Sequence, residues 1–237
     1  MKLNKEKFFK HYVSNIAIVL MLILVGSVTL NFNSTNVFGT SKVEAIYEGN
    51  RDGSYASLMF NVYWGTEYIE DILEILDNFN VKCTFFVGGT WAEKNQSVLE
   101  QISTRGHEIG NHGYFHKDHD KLDYNGNYEE INANHSLIKS LLDIDMNLFA
   151  PPSGAYNKTT IDVADSLGYK TIMWSKDTID WRDKDSELVY RRATTDIKGG
   201  DLVLMHPTLH TVTALPKILE YYANNDILAT IVSKTIY

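Results

Sequence analysis

Two histidines, His112 and His116, lie four residues apart and directly follow a short segment with strand character at residues 108–110. Two imidazoles at this spacing can turn toward one point and hold a divalent metal ion. A third histidine, His206, follows the apolar segment Leu202–Met205. A metal held by two histidines, with another histidine at a strand end, indicates metal-assisted hydrolysis. The alternative is that these are solvated or capping histidines, since the chain contains eight.

Alternating strand and helix segments must position these residues. Residues 56–60 read as a strand, residues 67–78 carry apolar side chains at helical spacing, and the alternation continues to a last strand at residues 227–232. This alternation predicts parallel βα units that close into a barrel-like fold, where ligands bind at the carboxyl ends of the strands. Five segments with polar, aromatic or turn-forming residues fall at those ends: 61–65, 112–116, 151–154, 177–181 and 206–208.

The first 39 residues of the 237 read as a signal peptide or an uncleaved membrane anchor. A basic start precedes a mostly apolar stretch at residues 16–30, and no Ala-x-Ala cleavage site follows. Either interpretation places the remaining chain outside the membrane of a bacterial cell, at its extracellular face or secreted. Residues 40–55, which include Gly49 and Gly53, predict a linker, and residues 56–237 predict one domain.

Composition excludes some partners. Cys83 is the only cysteine, so no internal disulfide can form. The first 39 residues carry four lysines and one glutamate, so the rest of the chain has a net charge of −11 against −8 for the whole. Nucleic acid phosphates would repel such a domain, and we exclude nucleic acid as a partner. Neutral or amine-bearing glycans remain compatible.

The order of the segments resembles the polysaccharide deacetylase family, also called the NodB-homology or carbohydrate esterase family 4 enzymes. The resemblance runs from about Ser57 to Ile231, and its most specific segments are residues 82–88, 105–112 and 174–181. Residues 204–208 look like the branch of sporulation and clostridial wall deacetylases. The implied fold is α/β, a distorted (β/α) barrel preceded by an N-terminal hydrophobic helix. The implied reaction uses a bound divalent metal to remove acetyl groups from N-acetylated glycans such as peptidoglycan. Zn²⁺ is the expected metal, and Co²⁺, Ni²⁺ and Mn²⁺ are the alternatives.

The resemblance also implies roles for individual residues. His112 and His116 would be the metal ligands, and His206 the general acid that protonates the departing amine. Asp177 would hydrogen-bond His206 and raise its pKa. A turn residue or a helix N-cap is the alternative role for Asp177.

Four further residues are implied to bind substrate. Trp181 would form one wall of the sugar groove, with a place in the core as the alternative. Leu204 would line the pocket for the acetyl methyl group, and Pro152 and Gly154 belong to the turn beside it.

The family pattern is broken at three positions. Asn61 stands where an aspartate acts as the base, and an amide cannot take a proton from water at ordinary pH. Val62 replaces the carboxylate that would be the third metal ligand, and Ala150 replaces the arginine that orients the base. The groups that could substitute from nearby are Asp118, His119 and Glu67.

Two functions follow from this mixture. The first is an exported metal-dependent deacetylase of peptidoglycan or a related glycan, whose activity Asn61 and Ala150 could reduce. The alternative is a degenerate member that binds glycan without hydrolysing it. A third interpretation is hydrolysis of another amide or ester on the same scaffold, because a fold does not determine a substrate.

Overall fold

The computed structural model describes residues 15, 16, 18–21 and 43–237. The chain divides into two units, Met1–Lys42 and Val43–Tyr237. The described residues of the first unit are helical and exposed, and the rest of the predicted signal or anchor segment lies outside the described residues. In the described part, no helix has both the length and the apolar character that a membrane span requires.

The second unit alternates short strands with helices along its whole length. Its strands are β1 (Tyr55–Val62), β2 (Thr84–Val87), β3 (Glu108–Asn111), β4 (Leu148–Phe149), β5 (Lys170–Thr171), β6 (Lys176–Asp177), β7 (Leu202–Met205) and β8 (Leu228–Thr230). Its helices are α1 (Ile69–Asn78), α2 (Gly89–Lys94), α3 (Gln96–Thr104), α4 (Tyr124–Leu142), α5 (Lys158–Ser166), α6 (Asp180–Asp183), α7 (Ser186–Thr194), α8 (Leu209–Asn224) and α9 (Val232–Ile236). Two 3₁₀ turns, His119–Lys121 and Pro152–Gly154, complete the set.

The strands form one parallel sheet in the order β5-β4-β3-β2-β1-β7-β6. Strand β8 pairs with the first residues of β1, Tyr55–Ser57, while β2 pairs with its last ones. This half-barrel of parallel strands confirms the predicted distorted (β/α) barrel. All carboxyl ends of the strands therefore meet at one rim.

The side chains of β1 alternate between two apolar cores. Leu58, Phe60 and Val62 pack in the larger core between the sheet and its helices. Met59 packs in a smaller core inside the half-barrel, with residues such as Leu204 of β7. Because side chains in a strand alternate faces, Asn61 continues the inner face at the carboxyl end of β1.

The helices bury one face against the outside of the sheet. In α1 the buried residues are Ile69, Ile72, Leu73 and Leu76, which recur at the spacing of an amphipathic helix. Helix α5 begins with a capping box, in which the Asn157 side chain accepts from the Thr160 backbone N–H.

Two elements differ from the sequence prediction. The last strand ends at Thr230, and Val232, predicted as strand, begins α9, where its N–H donates to Thr84 Oγ1 at 2.8 Å. Residues 81–87 read as a strand that Gly88 and Gly89 close, whereas the structure begins helix α2 at Gly89. A Cβ at Gly89 would lie 2.4 Å from the Tyr114 ring, so the glycine permits a close approach between two loops.

The predicted linker at residues 40–55 is wrong for the residues that the structure describes. The Ile46 N–H donates to the Thr171 carbonyl at 2.8 Å, and the Gly49 N–H donates to the Gly200 carbonyl at 2.7 Å. Arg51 Nη1 also lies 2.8 Å from Asp201 Oδ1. Polar composition suggested a free segment, but its backbone groups are satisfied by the edges of the sheet.

A buried histidine beneath β2 makes the stability of the fold sensitive to acid. His107 Nδ1 accepts from the Cys83 N–H at 3.1 Å, and burial lowers the pKa of His107 to about 4. The unfolded chain therefore binds a proton near pH 6.5 that the folded chain does not bind until about pH 4. The stability that neutral His107 contributes to the folded state is fully present above about pH 6.5 and is lost as the pH falls toward 4.

We expect urea midpoints to decrease as the pH is lowered from about 6.5 to 4.5, and to decrease less in a His107→Gln variant. The comparison uses the slope of the urea midpoint against pH. A loss of stability that His107→Gln causes equally at every pH therefore does not affect the comparison. Identical slopes in both proteins would contradict the assignment to His107.

Candidate active site

A cavity of about 640 Å³ opens at the carboxyl ends of the strands, as the parallel alternation predicted. Eight of the nine predicted site residues line it. The exception is Pro152, which is buried behind the cavity next to Gly113. The lining residues are Asn61, Tyr63, Trp64, His112, His116, Ser153, Gly154, Trp174, Asp177, Trp181, Leu204 and His206.

The predicted partner of His206 is wrong. His206 Nδ1 lies 2.8 Å from Asp180 Oδ1, and the His206 backbone N–H donates to Asp180 Oδ2 at 2.7 Å. Thr211 Oγ1 and the Trp181 N–H also donate to this carboxylate, at 2.5 and 3.0 Å. Asp180 is 1% exposed, and these four donors hold its carboxylate in one orientation. The dyad of this site is therefore His206 and Asp180.

Asp177 has a different place in the site. Its Oδ1 accepts from the Ile179 N–H at 2.8 Å, an Asx-type turn that agrees with the alternative role considered above. Ile179 then adopts a left-handed conformation with φ 53°, which turns the chain so that Asp180 contacts His206. Among the described residues that line the cavity, only Asp177 carries a carboxylate.

His112 and His116 lie together, as their spacing predicted. Their ring centroids are 4.9 Å apart with an interplanar angle of 71°. His112 Nδ1 donates to the Ala150 carbonyl at 2.7 Å, which makes Nε2 the nitrogen that can bind a ligand. Burial lowers the pKa of His112 well below its ordinary value and also lowers the pKa of His116. Both imidazoles are therefore neutral near pH 7, the form that binds metals.

The loop that carries these histidines is hydrogen-bonded to a buried carboxylate, that of Glu130. Glu130 Oε2 of α4 accepts from the Tyr114 N–H at 3.0 Å and from the Phe115 N–H at 2.8 Å. Glu130 is 2% exposed, and Lys117 lies 3.1 Å from its other oxygen. Tyr114 and Phe115 lie between His112 and His116 in the sequence. Their hydrogen bonds to Glu130 therefore hold the segment that joins the two histidines.

Two aromatic residues of the loop after β1 cover the histidines, a feature that the sequence analysis missed. The Tyr63 ring stacks on His116 with centroids 3.4 Å apart, and the Trp64 ring stacks on His206 with centroids 5.4 Å apart. Trp91 Nε1 donates to the Gly65 carbonyl at 2.7 Å and fixes the end of this loop. The available signal was an aromatic pair two and three residues after the base position, since an exposed aromatic pair at a strand end is unusual.

Trp181 lines the cavity with its side chain half exposed, which excludes its alternative place in the core. Leu204 is nearly buried and lies on the inner face of β7, opposite Met59 of β1. An exposed indole beside a small apolar surface can bind the face of a sugar ring.

The structure places no carboxylate at the position of the base. Asn61 is 3% exposed, and its Oδ1 has no hydrogen-bond partner among the described residues. Val62 is fully buried in the larger core and supplies no ligand, and Ala150 is fully buried in the smaller one.

Of the three groups that could substitute from nearby, Asp118 and Glu67 are hydrogen-bonded elsewhere, and His119 is hydrogen-bonded through Nδ1 while its Nε2 has no partner among the described residues. Asp118 pairs with Lys121 at 2.6 Å, and His119 Nδ1 lies 2.7 Å from Asn127 Oδ1. Glu67 Oε2 accepts from the Thr66 N–H at 2.8 Å. None of the three is among the described residues that line the cavity.

The donor set suits a metal ion held by two protein nitrogens. Two neutral imidazoles share a cavity, and one is oriented by a backbone carbonyl through its other nitrogen. Across residues 43–237 and the described residues before them, no group of three or more His, Cys, Asp or Glu side chains is arranged to hold a metal. The remaining coordination positions would therefore be filled by water or by the bound ligand.

A family model for polysaccharide deacetylases matches residues 48–172, more than half of the chain. The uncharacterized protein YlxY of Bacillus subtilis is 38% identical over 176 residues, which cover 74% of this chain and 55% of that protein. A peptidoglycan-N-acetylglucosamine deacetylase of Bacillus cereus is 30% identical over 167 residues, which cover 64% of this chain and 74% of that enzyme. The chain thus spans little more than half the length of YlxY.

Solved structures of CE4 family proteins are also similar to this chain. A CE4 family pseudoenzyme from Bacillus anthracis has a TM-score of 0.80 and 31% identity, covering 82% of this chain and 69% of that chain. A mutant of the same pseudoenzyme with restored enzymatic activity also has a TM-score of 0.80, at 30% identity, covering 82% and 71%. The similar proteins therefore include both a deacetylase and a protein without activity in its natural form.

Proposed function

Because this chain belongs to the polysaccharide deacetylase family, we propose that its cavity binds an N-acetylated glycan of the peptidoglycan type without rapid hydrolysis. The observation that carries this proposal is Asn61 at the position of the base. An amide does not accept a proton from water, and the lining carboxylate, Asp177, is engaged by the Ile179 N–H. The similar pseudoenzyme, whose activity a mutant restores, supports the same interpretation.

A second candidate function is slow deacetylation, favoured by the dyad of His206 and Asp180. Asp180 accepts the proton of Nδ1, so His206 Nε2 is the nitrogen that can carry a proton to a departing amine. The dyad is buried, and the His206 backbone N–H and Nδ1 both bond to Asp180, which keeps the imidazole in one orientation. Besides the third metal ligand, such a site lacks proton abstraction, a contribution of about 10²–10⁴ in rate.

We propose that the site also holds a divalent metal. Zn²⁺ is the expected ion, and Co²⁺, Ni²⁺ and Mn²⁺ are the alternatives. His112 and His116 would hold it, and it would polarise the acetyl carbonyl when bound. Tyr63 stacks on His116 and limits the movement of that ring. Two protein nitrogens bind a metal less tightly than three ligands do. We therefore expect a high dissociation constant, so that the site fills only at high metal concentration.

We also propose that the domain acts outside the cell, as a secreted or membrane-attached protein. The basic and apolar start of the chain supports this location. Fractionation of cells that produce the full chain tests it, and recovery only from the cytoplasmic fraction would contradict it.

The binding proposal is tested with a tetramer of N-acetylglucosamine. We expect isothermal titration to detect binding while no acetate is released, and a Trp181→Ala variant to bind about 10-fold more weakly. Tyr237→Ala is the matched control, because Tyr237 is an exposed aromatic residue outside the cavity lining. Absence of binding by the unmodified protein would overturn the proposal, and acetate release would favour the second candidate.

Metal binding is tested by thermal unfolding. Zn²⁺ at about 100 times its Kd should raise the midpoint by roughly 5–10 °C, because a ligand of the folded state stabilises it. A His112→Ala variant should lose this shift, whereas His210→Ala should keep it, since His210 lies outside the cavity lining. Equal shifts in both variants would show that the ion binds elsewhere.

A further inference from the structure

A second cavity, of about 770 Å³, adjoins the candidate active site. It lies between the segment before β1 and the segments that lead into β6 and β7. Trp174 lines both cavities. A Cβ at Gly154, which lines the first cavity, would lie 2.8 Å from the six-membered ring of Trp174. One indole is therefore a wall that the two cavities share, and a polymer bound in the first can continue past it into the second.

Part of the charge in the second cavity is neutralised within the protein. Arg51 Nη1 lies 2.8 Å from Asp201 Oδ1, and Arg51 Nη2 bonds to the Glu48 carboxylate. Asp201 also accepts from Ser175 Oγ at 2.8 Å. These bonds attach the segment before β1 to the segment before β7, so their charged groups serve the fold of this wall.

Three other charged groups of the lining have no such partner. Lys176 Nζ donates to the Thr195 carbonyl at 2.7 Å, a bond that orients the ammonium group but leaves its charge uncompensated. Lys198 and Asp196 form no ion pair with any described residue. The cavity thus presents two cations and one anion to a ligand, in a domain whose total charge is negative.

This set of charges complements a ligand that carries carboxylates together with an amine. In peptidoglycan, the muramic acid residues bear a short peptide with free carboxylates and, on its diamino acid, an amine. A glycan of N-acetylglucosamine alone has no charged group. The peptide is attached to the sugar chain, so a strand with one sugar in the first cavity brings a peptide next to it.

We propose that the second cavity binds the peptide of a peptidoglycan strand whose N-acetyl sugar occupies the first. Lys176 and Lys198 receive peptide carboxylates, and Asp196 receives the amine. Trp174 lies between the peptide and the sugar. This inference rests on the proposed glycan binding and names the substrate as the peptide-bearing form of the glycan.

Two ligands that share one sugar chain test the role of the peptide. The first is a tetrasaccharide of alternating N-acetylglucosamine and N-acetylmuramic acid with a diaminopimelate-containing tetrapeptide on each muramic acid. The second is the same tetrasaccharide with its peptides removed. In isothermal titration at about 25 mM salt, we expect the unmodified protein to bind the first about 5-fold more tightly. At about 500 mM salt the difference should fall below about 2-fold, because salt screens charges at a partly exposed site.

The lysines are tested with a charge-matched control. The double variant Lys176→Gln with Lys198→Gln should lose the preference for the peptide and still bind the peptide-free glycan. Lys94→Gln with Lys217→Gln removes the same charge from exposed positions outside both cavity linings and should keep the preference.

The outcomes separate this inference from the proposed function. Equal affinities of the unmodified protein for the two ligands, or a preference that salt does not reduce, would overturn the role of the second cavity while leaving glycan binding intact. The same change in both double variants would also overturn it, since overall charge would then be the cause. Failure of the unmodified protein to bind either ligand would overturn the proposed function itself.

Discussion

Replacing Asn61 with aspartate should raise acetate release from N-acetylglucosamine oligomers by about 100-fold or more. The carboxylate would lie on the inner face of β1, in the cavity that His206 also lines. It would supply the proton acceptor that the amide lacks, while the dyad of His206 and Asp180 is already assembled. The assay measures acetate at saturating Zn²⁺ or Co²⁺, since two imidazoles hold a metal weakly.

Two controls accompany this substitution. Asn61→Leu changes the same position without adding a base and should show no gain. The double variant Asn61→Asp with His206→Ala should lose the gain, because the departing amine then lacks its proton donor. If Asn61→Asp releases no more acetate than Asn61→Leu, the missing base is not what limits turnover.

Replacing Asp180 with asparagine should lower the free energy of unfolding by about 2–4 kcal/mol. The Asp180 carboxylate accepts four hydrogen bonds at 1% exposure, two at each oxygen, and the NH₂ group of an asparagine cannot accept the two bonds of the oxygen that it replaces. Asp177→Asn is the matched control, since Asp177 is partly exposed and accepts from the Ile179 N–H. Its loss should stay below about 1 kcal/mol.

Urea unfolding measures both variants, and nitrogen NMR of the imidazole adds a readout of the dyad. We expect the Nδ1–H tautomer of His206 to be lost in Asp180→Asn and kept in Asp177→Asn. A larger effect of Asp177→Asn on either measurement would restore the partner that the sequence suggested.

The convergence of the histidines could be predicted before any coordinates. His112, His116 and His206 each follow a segment that reads as a buried strand, and parallel strands bring their carboxyl ends to one rim. The prediction depends only on hydrophobic periodicity and on the direction of the chain. The same reasoning placed the segment of Trp181 at this rim, whereas the position of Leu204 in the site was implied by the family resemblance.

The choice between Asp177 and Asp180 could not be predicted in the same way. Asp177 ends β6 and Asp180 follows it by three residues, so the sequence alone allows either carboxylate to reach His206. The left-handed conformation of Ile179 decides between them, and a β-branched residue gives no sequence signal for such a conformation. Residues 40–55 were likewise interpreted as a linker, because hydrogen bonds to distant parts of the chain, such as those of Ile46 and Gly49, leave no local pattern.

The sequence by itself determined that a carboxylate is absent where the base should be, because the chemistry of an amide at position 61 does not depend on the fold. It also determined the alternating architecture and the rim where ligands bind. Only the tertiary structure decided that Asp180 holds His206, that Trp64 stacks on that ring and that Asn61 Oδ1 is buried without a hydrogen-bond partner among the described residues. These contacts join residues far apart in the chain, and their geometry is set by packing rather than by local composition.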